Sequence, residues 1–177
     1  NRPESGEVIL LFQPAEETGD GAKAVLADPR FKKIKPDFAF ALHNLPGYPM
    51  HQIVMRKGTF AAGSTGMTIS LTGKTSHSAH PEAGINPAQA LAKLIQELPG
   101  LANQSDQFAL LTLIHAELGS LAFGTSAGKG SLSMTLRAFD QQDWDGLIEP
   151  VKENALAVAK SESLTVELGF VEHFAVS

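Results

Sequence analysis

The sequence contains no cysteine. That excludes disulfides, thiolate metal sites and a cysteine nucleophile within this chain. No apolar run approaches the ~20 residues a helix needs to cross a bilayer, so no transmembrane helix is expected. Basic runs are also missing: Lys+Arg number 14 against 19 Asp+Glu, a formal net charge of −5. A mildly acidic chain of this kind is a poor match for nucleic acid or an anionic membrane, and neither is expected as a partner. Internal repeats and low-complexity stretches are absent. What remains is 177 residues, 43% hydrophobic and 19% charged. That supports a packed core in one domain or two small ones and argues against disorder.

The chain opens Asn1-Arg2-Pro3-Glu4 without an initiator Met, and closes Glu172-His173-Phe174-Ala175-Val176-Ser177. Both ends read as interior to a longer protein, although a processed terminus is a second reading of the first. Residues 7–12 (EVILLF) and 37–42 (DFAFAL) are short, nearly continuous apolar runs, the pattern of strands buried on both faces. Between them a helical pattern opens at Asp20-Gly21-Ala22 and stops near Asp28-Pro29. Strand, helix, strand suggests a βαβ unit of an α/β domain. Residues 52–56 predict a further short strand.

The rhythm changes after Lys57-Gly58. Met67, Ile69 and Leu71 alternate with Thr68, Ser70 and Thr72, the pattern of a half-buried antiparallel strand. A polar loop spans 73–85. Asn86-Pro87 then starts a helix, Asn as N-cap and Pro at the first helical position. Its stripe is Ala90, Leu91, Leu94, Ile95 and Leu98, and Pro99-Gly100 ends it. Strands are predicted over 108–118 and 131–139, with 124–130 as a flexible hairpin loop. A second helix runs from Asp140 to about Lys160, with Leu147, Ile148, Val151, Ala155 and Val158 on one face. Pro150 inside it predicts a kink or a late start. Leu164, Val166 and Leu168 form a last strand. The order β-α-β-β-α-β predicts an α+β fold of ferredoxin-like type, a four-stranded antiparallel sheet with two helices on one face.

Glu16 and Glu17 directly follow the first apolar run. Ligands of open α/β sheets gather at the carboxyl ends of strands. In extended backbone the two side chains would diverge, one toward a metal and the other toward a bound water. A solvated acidic pair near a helix start is the plainer alternative. His43 ends the second run, 26 residues after Glu17. In a right-handed βαβ unit both strand ends lie on one sheet edge, where a carboxylate and an imidazole make half of a zinc-type site. A hydrogen-bonded structural histidine is the competing reading. His77 and His80 share the polar loop, with weak chelate spacing. Gly73-Lys74-Thr75 is not a phosphate loop, because that pattern needs glycine where Thr68 stands. Gly-x-Ser-x-Gly is absent. His51, His115 and His173 read as structural or solvated.

Taken in order, Leu11-Phe12-Gln13-Pro14-Ala15-Glu16-Glu17, Ala41-Leu42-His43-Asn44 with Pro46-Gly47, the stretch from Gly73-Lys74-Thr75-Ser76-His77-Ser78-Ala79-His80-Pro81 through Asn86-Pro87, and Thr135-Leu136-Arg137-Ala138-Phe139-Asp140 form a specific combination. The sequence resembles the aminoacylase, hippurate hydrolase and indole-acetyl-amino-acid hydrolase group of dinuclear-metal amidohydrolases and carboxypeptidases, over essentially the whole chain. The resemblance implies that Glu16 is the general base and acid acting on the attacking water. It implies that Glu17 and His43 are metal ligands. His77 would be the lid histidine that stabilises the tetrahedral oxyanion, often in the partner subunit's active site.

The implied layout is a partial catalytic α/β domain over 1–58, a lid and dimerisation domain over 59–172, and a return to the catalytic domain over 173–177. The implied cofactor is a pair of divalent ions (zinc, manganese, cobalt or nickel), the substrate an N-acyl amino acid or small peptide, and the partner a second copy of the chain. A cytoplasmic location is expected. Relatives of this kind carry further ligands before and after the stretch seen here, and an Asn after the Phe that corresponds to Phe123, where this chain has Gly124. With at most two ligands of its own, the chain alone is expected to show no turnover. The competing class is a non-catalytic ferredoxin-like module for dimerisation or ligand binding.

Overall fold

The computed structural model describes residues 5–102 and 108–174. The chain divides into two compact units, Asn1–Val54 and Met55–Ser177.

In the first unit, helix α1 spans Asp20–Ala27 and a 3-10 turn spans Phe31–Lys33. Asp20 in the first turn of α1 complements the helix dipole. The strands expected at 7–12, 37–42 and 52–56 do not form ladders, so the βαβ expectation is not met. Phe12, Phe38, Phe40 and Leu42 are 81–94% exposed. A strand buried on both faces needs neighbours at its edges and cover above and below, and the described residues supply neither.

The second unit carries the fold. Strand β1 spans Gly63–Thr72 and a two-residue β2 covers Ser76–His77. Helix α2 follows over Ala88–Ala102. Strand β3 is Ala109–Leu118, a two-residue β4 is Thr125–Ser126, and β5 is Lys129–Ala138. Helix α3 is Gln141–Ser161 and β6 is Thr165–Phe174. The four long strands form one sheet in the order β3-β5-β1-β6, antiparallel throughout. With α2 and α3 as the two crossovers, this is the ferredoxin-like order expected from periodicity.

Alternation explains the core. Met67, Ile69 and Leu71 of β1 and Leu132, Met134 and Leu136 of β5 are at most 1% exposed. They meet Leu94 and Leu98 of α2 and Leu147 and Val151 of α3 in one apolar cluster. Each such side chain contributes roughly 1.5–3 kcal/mol on burial. Trp144, outside the expected stripe of α3, is buried too, while Ile95 of α2 lies at the margin.

Both helices tolerate a proline that sequence reading treats as a stop or kink. Pro99 forgoes a bond to the carbonyl of Ile95, and Pro150 one to that of Gly146. Both acceptor residues are exposed, so water can take the freed carbonyls. Asp140 caps α3 by accepting from Asp143 N–H at 2.8 Å. Among the described residues no helix is long and apolar enough to cross a membrane.

Candidate functional site

Glu16 and Glu17 lie in a turn before α1, not in extended backbone. The diverging side chains expected of a strand therefore do not arise. The turn is held locally. Gly19 N–H donates to Glu16 O at 3.0 Å and Gly21 N–H to Ala15 O at 3.3 Å. The Thr18 hydroxyl donates to Asp20 Oδ2 at 3.1 Å. Ala15 has φ 47, a left-handed value unusual for a residue with a side chain. Gly21 makes this possible: a Cβ there would lie 1.5 Å from Pro14 O. The close approach of Pro14-Ala15 to the start of α1 sets where the acidic pair begins. Both carboxylates are exposed.

His43 is exposed in irregular backbone. Its Nδ1 lies 2.8 Å from the Asn44 carbonyl oxygen. A carbonyl only accepts, so Nδ1 carries the proton and donates. In the neutral ring Nε2 then keeps its lone pair. That is the form a metal ligand needs, with the other ring nitrogen anchored to a backbone carbonyl.

Donor chemistry in this unit therefore suits a divalent cation in kind: a carboxylate and an imidazole lone pair. It does not suit one in number. Among the described residues no three His, Asp or Glu side chains gather closely enough to hold a metal ion. A closed site takes four ligands and a catalytic one three, so the described residues by themselves do not build such a centre.

His77 belongs to the second unit, and its loop is more ordered than a polar stretch suggests. β2 pairs with β4 in the register Ser76↔Ser126 and His77↔Thr125. Ser78 N–H donates to Gly124 O at 3.0 Å and Gly73 N–H to Gly128 O at 2.8 Å. Lys74 and Ile85 exchange two backbone bonds. The segment 124–130 is thus partly a ladder and not a free hairpin loop. Asn86 ties both sides together. Its Oδ1 accepts from Ala88 N–H at 2.9 Å, capping α2, while Nδ2 donates to Ser126 Oγ at 3.0 Å. The cap was legible in the sequence; the second bond depends on a residue 40 positions away.

The His77 ring takes the opposite tautomer to His43. Nδ1 accepts from Ala79 N–H at 3.1 Å, so in the neutral ring the proton sits on Nε2. His80 lies beside it, ring centroids 6.2 Å apart, with its own Nδ1 3.5 Å from Glu82. Sequence reading missed Thr125, the residue directly across from His77. No local pattern marks it, because its position follows from strand register alone.

Residues 1–111 match the model of peptidase family M20/M25/M40, and residues 61–162 that of a peptidase dimerisation domain. An N-acetyldiaminopimelate deacetylase of Exiguobacterium sibiricum is 29% identical over 95% of this chain and 46% of its own length. A hippurate hydrolase of Campylobacter jejuni is 28% identical over 93% of this chain and 43% of its own. The chain thus spans less than half the length of these curated relatives. Among solved structures, an aminobenzoyl-glutamate utilization protein from Klebsiella pneumoniae shares the fold at TM-score 0.62 and 16% identity, covering 68% of this chain and 30% of that one. A hydantoinase/carbamoylase family amidase from Burkholderia ambifaria does so at TM-score 0.60 and 18% identity, over 67% and 30%.

Proposed function

The chain belongs to peptidase family M20/M25/M40, and from that membership we propose that it is part of an amidohydrolase that cleaves the amide bond of N-acyl amino acids or small peptides. Two of its relatives are named for such substrates, acetyldiaminopimelate and hippurate. Members of the family generally use divalent metal ions. Glu17 and His43 are two of the ligands, and a full centre of two ions (zinc, manganese, cobalt or nickel) requires others beyond the described residues. Such ions, when bound, lower the pKa of a coordinated water and polarise the amide carbonyl.

The residues of this chain then divide the work. The Glu16 carboxylate takes the proton of the attacking water and returns it to the leaving amine. His77 donates its Nε2–H to the oxygen of the scissile amide as negative charge develops there. The unit Met55–Ser177 acts as lid and dimer contact. Its edge strand β3 presents Leu110 and Ile114 at 42% and 63% exposure, which supports a covering second copy.

One observation carries the reading. The two histidines assigned different roles hold opposite tautomers, His43 with a lone pair on Nε2 and His77 with a proton there. The first leaves Nε2 of His43 open to ligate a metal, and the second leaves an Nε2–H on His77 to donate to an oxyanion, so each arrangement is compatible with its proposed role. With two ligands of its own, the 177-residue chain alone does not turn over.

The test uses the full-length protein on hippurate and N-acetyl amino acids, measuring released amine. Glu16→Gln is expected to lower kcat by roughly 10²–10⁴ with the circular dichroism spectrum unchanged. A full-length protein that releases no amine from any such substrate, or a Glu16→Gln variant as fast as wild type, overturns the proposal.

A further inference from the structure

The β2–β4 ribbon places a second donor next to His77. In an antiparallel pair, opposed residues alternate between hydrogen-bonded and non-hydrogen-bonded positions. The bond from Ser78 N–H to Gly124 O marks the Ser78/Gly124 pair as hydrogen-bonded. The neighbouring pair, His77↔Thr125, is therefore of the close, non-hydrogen-bonded kind. Such side chains stand on one face, with Cβ atoms about 4.5–5.5 Å apart. Both residues are exposed. Neighbouring Ser126 is held by Asn86, whereas no side-chain bond within the described residues engages the Thr125 hydroxyl.

We propose that Thr125 is a catalytic residue: from the position opposed to His77 on the ribbon, its hydroxyl donates a second hydrogen bond to the oxyanion formed at the scissile amide. This rests on the role proposed above for His77. Thr125 forms no covalent bond and keeps its proton throughout. Two donors on one ribbon can converge on one oxygen only if the ribbon is rigid. The Asn86–Ser126 bond and the Gly73–Gly128 bond provide that stiffness on either side. A β-branched threonine suits the position because its χ1 is restricted even on an exposed strand.

The experiment compares Thr125→Val, Thr125→Ser and His77→Ala in the full-length protein, with kcat and KM measured separately on an N-acyl amino acid. Valine keeps the branched shape and removes the hydroxyl. The expected result is a kcat loss of roughly 10² for Thr125→Val, the lower end for an oxyanion donor, with KM little changed. Thr125→Ser, which keeps the hydroxyl, retains most of the rate. A merely structural role would instead lower the melting temperature of Thr125→Val and leave kcat alone. Thr125→Val turning over like wild type while His77→Ala is impaired sinks the Thr125 role and leaves the hydrolase reading standing. A Thr125→Val effect confined to KM also sinks it. A wild-type protein that hydrolyses no N-acyl amino acid removes both.

Discussion

Gly128→Ala tests whether the His77 ribbon is packed as tightly as its backbone bonds imply. A Cβ at Gly128 would lie 2.4 Å from Thr75 N and 2.8 Å from Lys74 C. Both are backbone atoms, so no rotamer change relieves the overlap. Segment 73–75 has to move away from Gly128, against the 2.8 Å bond between Gly73 N–H and Gly128 O. Overpacking of this kind costs about 1–3 kcal/mol. Replacing glycine by alanine also restricts the unfolded chain, which returns about 0.4–1 kcal/mol. The net expectation is a loss of up to about 2.6 kcal/mol, or up to roughly 16 °C in melting temperature for a unit of this size.

Gly124→Ala, four residues earlier in the same loop, is the control. Nothing lies within 4 Å of a Cβ there, and no left-handed φ forbids one. It should be neutral or slightly stabilising. Urea and thermal unfolding of the 177-residue chain, followed by far-ultraviolet circular dichroism, separates the two. Equal stability of the two variants would refute the packing argument, and with it the claim that the ribbon is stiff.

The sheet core gives a sharper contrast. Leu136→Ala removes a side chain with no exposed surface and should cost about 2–5 kcal/mol. Leu110→Ala, 42% exposed on the open face, should stay within about 1 kcal/mol by the same unfolding assay. At the end of α1, side-chain and backbone hydrogen bonds from Arg30 hold the Asp28 carboxyl at about 2, against an ordinary 3.8. A depressed carboxylate pKa stabilises the fold above its unfolded value. Asp28 therefore contributes fully above pH 3.8, and that contribution is lost as the pH falls toward 2. Carboxyl-carbon NMR should show the low midpoint. Arg30→Gln should return it toward 3.8, and an unchanged midpoint would mean that the arginine is not its cause.

Periodicity was a reliable guide from Gly63 onward because each element there buries one face against others in the same chain. Alternating Met67, Ile69 and Leu71 had a core to face, and α2 and α3 supplied it. The same reasoning failed at 7–12 and 37–42. Those runs carry the pattern of doubly covered strands, but pattern states what a segment can bury and not whether a neighbour is there to bury it. The two-residue ribbon was illegible for another reason. Two residues are too few for a period, and a pairing across about 50 positions leaves no local trace.

Composition and spacing thus determined a great deal alone: an acidic α+β chain and helices starting at Asn86-Pro87 and Asp140, whereas the roles of Glu16, Glu17, His43 and His77 came from the resemblance of their motifs and stay proposals. The ordering of the His77 loop, the place of Thr125 and the tautomer of each histidine were decided only in three dimensions. A ring nitrogen's proton is set by the one backbone atom beside it. For His43 that atom is a carbonyl and for His77 an amide, a difference created by how the chain turns after each residue.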